Sequence, residues 1–142
     1  SNVMERERNY TCRGIVKGCG AGEALVSVDP VCFYLCDPET GVMIEKGHAL
    51  NGKSVAGKVL VVKSGKGRSV VMVDGLYQLK LQNNLPAAII VRDIEPVLVS
   101  CSVVVGVPLV DRLEVDPYEA ITDGDYLSVD ADKGIVTVRR SS

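Results

Sequence analysis

Two stretches of the chain are apolar without interruption, whereas other apolar residues tend to alternate with polar ones. They lie within Lys58–Lys63 and Ala87–Val91, where VLVV and AAIIV stand near turn-forming residues. A continuous apolar run of this length is typical of a strand that is buried on both faces of a parallel sheet. Because parallel neighbours need a long crossover, usually a helix, we predict a helix in the segment between them.

The amino-terminal part of the chain predicts short strands. Tyr10–Val16 and Ala24–Val28 carry β-branched and small residues, and the glycine-rich KGCGAGE between them predicts a tight turn. No helix signal follows these glycines, which argues against a dinucleotide-binding loop. DPVCFYLCDPETG, residues 29–41, predicts a short apolar strand that ends in a turn over Asp37–Gly41.

The carboxyl-terminal part predicts a short helix and a hairpin. Asp116 and Pro117 suit the N-cap and the first position of a helix, with its end near Gly124. YLSVDADKGIVTVRR, residues 126–140, contains a turn at Asp132–Gly134, as expected for two antiparallel strands.

Two further segments carry conflicting signals. Leu76–Gln82 alternates like a strand, yet one helical face would collect Val70, Val73, Leu76 and Tyr77. The segment after Glu95 is rich in β-branched residues, although Glu95-Pro96 is a good helix opening. Periodicity alone leaves helix and strand open for both segments.

Composition and charge narrow the class of protein. The 142 residues are 46% hydrophobic and only 4% aromatic, which favours a single α/β or β-rich domain. We expect this domain to span residues 10–142 and to follow a disordered or cloning-derived leader, residues 1–9. The net charge of −2 argues against nucleic acid as a partner. No apolar stretch approaches the length of a membrane span, so we predict a cytoplasmic protein that does not bind membranes.

The cysteines predict neither disulfides nor a metal site. Their number is odd and their spacing irregular: Cys12, Cys19, Cys32, Cys36 and Cys101. We therefore expect a reducing compartment and thiols that act as small buried hydrophobes. His48 is the only histidine and is predicted to be a surface loop residue, while the aspartates at 123, 125, 130 and 132 are predicted to be turn residues.

The segment KSGKGRSVVM, residues 63–72, is the strongest candidate for chemistry. A glycine loop that opens a helix can direct several backbone N–H groups at one anion. Gly65 and Gly67 would allow close approach of the backbone to a ligand, and Lys66 or Arg68 could pair with carboxylate or phosphate. Ser69 suits an N-cap, and its hydroxyl could instead serve as a base; both interpretations stay open.

Six motifs occur in an order and spacing that resemble one protein family. They are GEALVS at 22–27, DPETG at 37–41, HALNGKSVAGKVLVV at 48–62, GKG at 65–67, PAAII at 86–90 and GVPLV at 106–110. Together they resemble the small subunit, or swivel domain, of the aconitase X family over nearly the whole chain.

The resemblance implies a swivelling β/β/α domain, with a β-barrel-like sheet and flanking helices, that acts as a mobile lid. It implies helices after GKG and from Glu95. The domain would dock on a large subunit that carries the iron–sulfur cluster, with no cofactor in this chain. Members of the family are hydro-lyases that remove water from cis-3-hydroxy-L-proline or from phosphomevalonate.

The candidate site departs from the family pattern at two places. Relatives typically follow GKG or GRG with small hydroxylated residues whose first serine is the expected base, whereas this chain has Arg68 there and Ser69 one position later. The family tends to have a glycine pair before the Pro-x-Thr-Gly turn, where this chain has CFYLCD, Cys32–Asp37. Inherited substrate specificity is therefore an open question.

These observations lead to a first hypothesis and its competitors. The first is a hydro-lyase small subunit acting on a hydroxy acid such as cis-3-hydroxy-L-proline, with Ser69 as displaced base and Lys66 and Arg68 holding the substrate carboxylate. Its alternatives are a phosphomevalonate dehydratase small subunit and a non-catalytic scaffold subunit of the same fold. A free-standing module that binds small anions rests on the loop chemistry alone.

Overall fold

A computed structural model of the chain describes residues 6–141. Eight strands run as β1 Glu7–Thr11, β2 Arg13–Val16, β3 Cys19–Val26, β4 Val59–Val62, β5 Ala88–Val91, β6 Leu109–Asp111, β7 Tyr126–Asp130 and β8 Ile135–Arg139. The α-helices are α1 Ser69–Leu81, α2 Pro96–Val105 and α3 Pro117–Ala120, and Phe33–Leu35 forms a 3₁₀ turn. The predicted leader, residues 1–9, lies partly outside the described residues, and β1 begins within it at Glu7.

The strands form one mixed sheet in the order β1-β8-β7-β3-β4-β5-β6-β2. Strand β3 belongs to two halves of this sheet, because Cys19–Glu23 pair with antiparallel β7 and Ala24–Val26 pair with parallel β4. At the other end, β1 and β2 are separated by Cys12 alone, although β1 pairs with β8 and β2 pairs with β6. The chain thus changes sheet partners at two corners, within β3 and at Cys12, which closes the sheet and confirms the predicted barrel-like α/β fold.

The glycine-rich segment after β2 is not the predicted turn. Cys19–Glu23 lie inside β3, so only Lys17 and Gly18 connect β2 and β3. A side-chain carbon at Gly20 would overlap the carbonyl of Ala87, which means that the glycine serves a close approach of two backbones within the sheet. The single strand predicted over residues 10–16 is likewise two strands, divided at Cys12.

The continuous apolar strands have a core on each face. Every residue of β4 and β5 is buried, and the two strands are parallel, as predicted, with Val59 opposite Ala88. Val59, Val61, Ala88 and Ile90 face the core inside the closed sheet. The alternate residues Leu60, Val62, Ile89 and Val91 pack in the other core, under α1 and α2.

The helical segments resolve the conflicting signals. The structure confirms helices at α1 and α2, and α2 ends where Gly106 adopts a φ of 78°. Helix α3 begins at Pro117 behind Asp116, as predicted, but ends at Ala120 rather than near Gly124 because Ile121 is extended and buried. The short strand predicted within residues 29–41 is instead the 3₁₀ turn, with Phe33 fully buried; the turn at 37–41 is confirmed.

Candidate functional site

The candidate loop follows β4 at the carboxyl edge of the parallel strands. In α/β proteins, ligands commonly bind at the loops that follow the carboxyl ends of parallel strands. Two backbone hydrogen bonds fix the loop to the segment after β3: the N–H of Val31 donates to the carbonyl of Ser64, and the N–H of Lys66 donates to the carbonyl of Val31, each at 3.0 Å. The loop is therefore a preformed part of the fold.

The two glycines of the loop have different surroundings. Gly65 is buried, and a side-chain carbon there would lie 2.9 Å from Cε of Met72 in α1 and 3.1 Å from Cβ of Leu98 in α2. Its small size therefore serves the packing of the helices behind the loop. Gly67 is exposed and has a φ of 105°, a conformation that side chains disfavour.

Helix α1 begins without a side-chain cap. Arg68 is the N-cap residue, with extended backbone, and none of its side-chain atoms bonds to the helix. The prediction that Ser69 is the N-cap is wrong, because Ser69 is already the first helical residue. The first helical bond runs from the N–H of Met72 to the carbonyl of Arg68 at 2.9 Å, so the preceding N–H groups have no acceptor within the helix.

Ser69 combines exposure with a free hydroxyl. Its side chain is exposed at the start of α1, and its hydroxyl has no hydrogen-bond partner within residues 6–141. The positive end of the helix dipole lies at this position and would favour negative charge on the hydroxyl oxygen or on a nearby ligand.

The two cations of the loop differ in their contacts. Lys66 Nζ lies 2.7 Å from Oε2 of Glu45, and both side chains are partly buried. Arg68 is exposed and makes no ion pair with another described residue. Glu45 was missed in the sequence because it lies 21 residues before Lys66 and no local motif links them.

Two cysteines lie near the loop. Cys32 and Cys36 flank the 3₁₀ turn and are buried, and burial raises the pKa of the Cys36 thiol to about 12. A thiol with such a pKa stays protonated and is a poor metal ligand or nucleophile at neutral pH. All five cysteines are free; Cys32, Cys36 and Cys101 are buried, as predicted, whereas Cys12 is half-buried and Cys19 is exposed.

A possible ligand group elsewhere does not suit an iron–sulfur cluster. Within the part of the chain that the structure describes, Cys19, Asp130 and Asp132 are the only three potential metal ligands that lie together. Iron–sulfur clusters are held by several thiolates, which this group lacks. Asp130 instead accepts a hydrogen bond from the N–H of Lys133 at 2.9 Å across the turn, in agreement with its predicted turn role. Asp132 lies in the same turn but accepts from the N–H of Gly18 at 2.9 Å, a contact between distant parts of the chain.

His48 is not the surface residue that was predicted. It is buried, its Nδ1 accepts a hydrogen bond from the N–H of Leu50 at 3.0 Å, and its Nε2 lies 2.8 Å from the carbonyl of Pro30. Accepting at Nδ1 places the proton on Nε2, which donates to Pro30. The imidazole therefore joins the loop before β4 to the segment after β3.

Among residues 6–141, no helix has both the length and the apolar character needed to cross a bilayer.

A sheet closed at two corners, with both long helices packed over its parallel half, defines a β/β/α swivel domain. The family model for the aconitase X swivel domain matches residues 9–138, and the chain belongs to that family. The resemblance stated from the sequence is thereby confirmed.

Similar proteins come from archaea. The chain is 46% identical over 125 residues to a protein of Methanosarcina mazei named phosphomevalonate dehydratase small subunit, covering 87% of this chain and 86% of that one. A protein of the same name from Methanocella arvoryzae is 46% identical over 123 residues, covering 86% and 92% of the two chains.

Comparison with solved structures agrees with the family assignment. The chain matches a crystal structure of Thermococcus kodakaraensis aconitase X in its holo-form with a TM-score of 0.83 and 35% identity, over 94% of this chain and 99% of that one. A solution structure of a UPF0107 protein matches with a TM-score of 0.80 and 34% identity, over 94% and 100% of the chains.

Proposed function

We propose that the chain is the small subunit of an aconitase X-type dehydratase whose substrate is phosphomevalonate. The observation that carries the proposal is that archaeal relatives up to 46% identical, matched over most of their length, are named phosphomevalonate dehydratase small subunit. These relatives support phosphomevalonate and give no support to cis-3-hydroxy-L-proline, which was the example substrate of the first hypothesis. The protein then acts on a small carboxylate that also carries a phosphate.

The loop before α1 supplies two of the three parts that dehydration needs. Removing water from a hydroxy acid takes a base near the carboxylate, an acceptor for hydroxide, and cations or N–H groups for the carboxylate. Ser69 is the base in this proposal, since its hydroxyl is exposed and unbonded at a positive helix end. Gly65 and Gly67 shape the loop, while Lys66, Arg68 and the free N–H groups of α1 bind the carboxylate.

The acceptor for hydroxide is assigned to a large subunit. The thiols of this chain do not form a cluster site among the described residues, so the iron–sulfur cluster of the proposal belongs to that partner. Five free cysteines fit a reducing compartment, and we place the complex in the cytoplasm.

The outer faces of α1 and α2 support a protein partner. Helix α1 buries Met72, Leu76 and Leu79 on one face, yet its outer face carries Val70, 75% exposed, and Tyr77, 49% exposed. On α2, the exposed apolar residues are Val103 and Val104. A helix that is apolar on all sides is normally covered on all sides, and exposed apolar patches mark interaction surfaces.

A non-catalytic scaffold subunit is the second candidate. The observation that favours it is Arg68, an exposed arginine at the position where the family resemblance leads one to expect the serine base. A scaffold would keep the fold and the apolar outer face while the loop lost its chemistry.

Co-purification of the chain with the large subunit of its own organism tests both candidates. The complex should dehydrate phosphomevalonate and leave cis-3-hydroxy-L-proline unchanged, as followed by product chromatography. A complex that forms but consumes neither substrate would favour the scaffold. Turnover of hydroxyproline alone would overturn the assignment of the substrate while keeping the hydro-lyase.

A further inference from the structure

Glu45 is a partly buried carboxylate that the proposed chemistry has not used. Its side chain is 25% exposed, and its Oε2 lies 2.7 Å from Nζ of Lys66 in the candidate loop. Its Oε1 is buried and has no hydrogen-bond partner among the described residues. A carboxylate oxygen can accept two hydrogen bonds, and no described residue donates one to Oε1.

The backbone around Glu45 is held in place from several directions. Its carbonyl accepts hydrogen bonds from the N–H of His48 at 3.3 Å and from Nδ2 of Asn51 at 3.0 Å. The preceding residue, Ile44, donates its N–H to the carbonyl of Leu35 at 2.9 Å. Glu45 is therefore anchored by its main chain and does not depend on Lys66 for its position.

The anchored carboxylate restricts the freedom of Lys66. A lysine ammonium has three N–H donors on a flexible stem, and one of them points at Oε2 of Glu45. Two donors stay available for an anion at the loop. The orphan Oε1 makes the pair a poor stabilising device, whereas the position of the pair beside the candidate loop suits a role toward a ligand.

We propose that Glu45 is a positioning residue that holds the Lys66 ammonium ready for the substrate carboxylate. The inference rests on the proposed dehydratase function. Without Glu45, the lysine side chain would sample many rotamers and bind the carboxylate more weakly. An effect of this kind weakens ground state and transition state alike, so it raises KM with little change in kcat.

A double-mutant cycle on the complex with its large subunit tests the proposal. Glu45→Gln should raise KM for phosphomevalonate about tenfold, change kcat less than about twofold, and have no further effect in a Lys66→Met background. The urea midpoint of the small subunit should stay the same or rise. Lys53→Met removes the lysine of an exposed ion pair with Asp123 elsewhere on the chain, and it is the matched control that should change neither constant.

Several outcomes would overturn the proposal. An unchanged KM in Glu45→Gln would remove the positioning role, and an equal KM rise in both backgrounds would show that Glu45 acts independently of Lys66. A lower urea midpoint with normal kinetics would make the ion pair merely structural. If Glu45→Gln does not fold, Glu45→Asp keeps the charge but shortens the reach, and it should raise KM in the same way; a normal KM there would also count against the proposal.

A failure of the proposed function can be distinguished from a failure of the inference about Glu45. A wild-type complex without phosphomevalonate turnover would reject the proposed function and this inference with it. A wild-type complex that turns over normally, with Glu45→Gln variants that do the same, would reject the inference alone.

Discussion

The two long helices of the domain begin in opposite ways. At α2, the carboxylate of Glu95 accepts hydrogen bonds from the N–H groups of Val97 at 2.7 Å and Leu98 at 2.9 Å. At α1, the N-cap is Arg68, a cation whose side chain bonds to none of the helix N–H groups. The α2 start is closed by an anion of the chain itself, whereas the α1 start is open.

The difference assigns stability to the capped start of α2 and leaves the uncapped start of α1 available for a ligand. A capped helix end gains stability from its own side chain, while an uncapped end next to cations is a favourable place for an external anion. In the proposed function, these neighbouring helices use the positive end of the helix dipole for two purposes, stability at α2 and anion binding at α1. Variants that exchange these purposes test the comparison directly.

The largest expected effect is on catalysis at the open end. Ser69→Ala should lower the turnover of the complex by about 10² or more, the usual contribution of a positioned acid or base. Because the hydroxyl bonds to no described residue, the free energy of unfolding should change by less than about 0.5 kcal/mol. Steady-state kinetics and urea denaturation measure the two quantities.

Ser128→Ala, at an exposed serine of β7, is the control for Ser69→Ala and should leave turnover unchanged. Normal turnover in Ser69→Ala would mean that this serine is not the base.

Adding a side-chain cap to the start of α1 should have the next largest effect. Arg68→Asp would place a good N-cap residue where the backbone is already extended. We expect the free energy of unfolding to rise by about 0.5–1 kcal/mol. Substrate binding should weaken by about tenfold or more, because the new carboxylate occupies the N–H groups and repels the substrate.

Arg68→Gln separates the two effects of Arg68→Asp, since it removes the cation without adding a cap. It should leave stability unchanged. If Arg68→Asp bound phosphomevalonate as tightly as the wild type, the α1 start would not be the carboxylate site.

Removing the side-chain cap of α2 should lower the stability of the domain. Glu95→Ala removes both accepted hydrogen bonds and should lower the free energy of unfolding by about 1–2 kcal/mol. Glu95→Gln keeps one acceptor oxygen and should lose about half as much. Urea denaturation of the small subunit gives these values, and a loss below about 0.3 kcal/mol would contradict the importance of the cap.

The smallest expected effect concerns α3, a single helical turn that also has a side-chain cap. Asp116 accepts a hydrogen bond from the N–H of Tyr118 at 2.9 Å, but it is exposed to solvent. Asp116→Ala should therefore lower the free energy of unfolding by only about 0.5 kcal/mol, at the low end for N-caps. A loss as large as that of Glu95→Ala would show that burial does not separate the two caps.

Much of the fold could be predicted from local sequence. Strands β4 and β5 were predictable because residues buried on both faces leave an uninterrupted apolar run. The helices α1 and α2 were not decided by periodicity, because apolar residues occupy their outer faces as well as their inner ones. The glycines of β3 resembled a turn because the backbone that approaches Gly20 comes from Ala87, far along the chain.

The position of the candidate loop between a strand and a helix could be predicted, whereas the residues that surround the loop could not. Glycines and cations next to one another predicted Gly65 to Ser69 as an anion site without knowledge of the fold. Glu45 and His48 escaped because their partners, Lys66 and Pro30, lie 21 and 18 residues away. Contacts at such separations depend on how the loops cross at the sheet edge, which residue types alone do not encode.

The pairing of β1 with β8 also determines how the domain is attached to anything beyond it. Glu7 lies opposite Arg139, and the N–H of Arg140 donates to the carbonyl of Arg6 at 3.0 Å, so the described chain enters and leaves at one spot. A circular permutant that joins these ends by a short linker would keep every strand pairing. A protein fused to either end would therefore be attached at the same place on the surface of the domain.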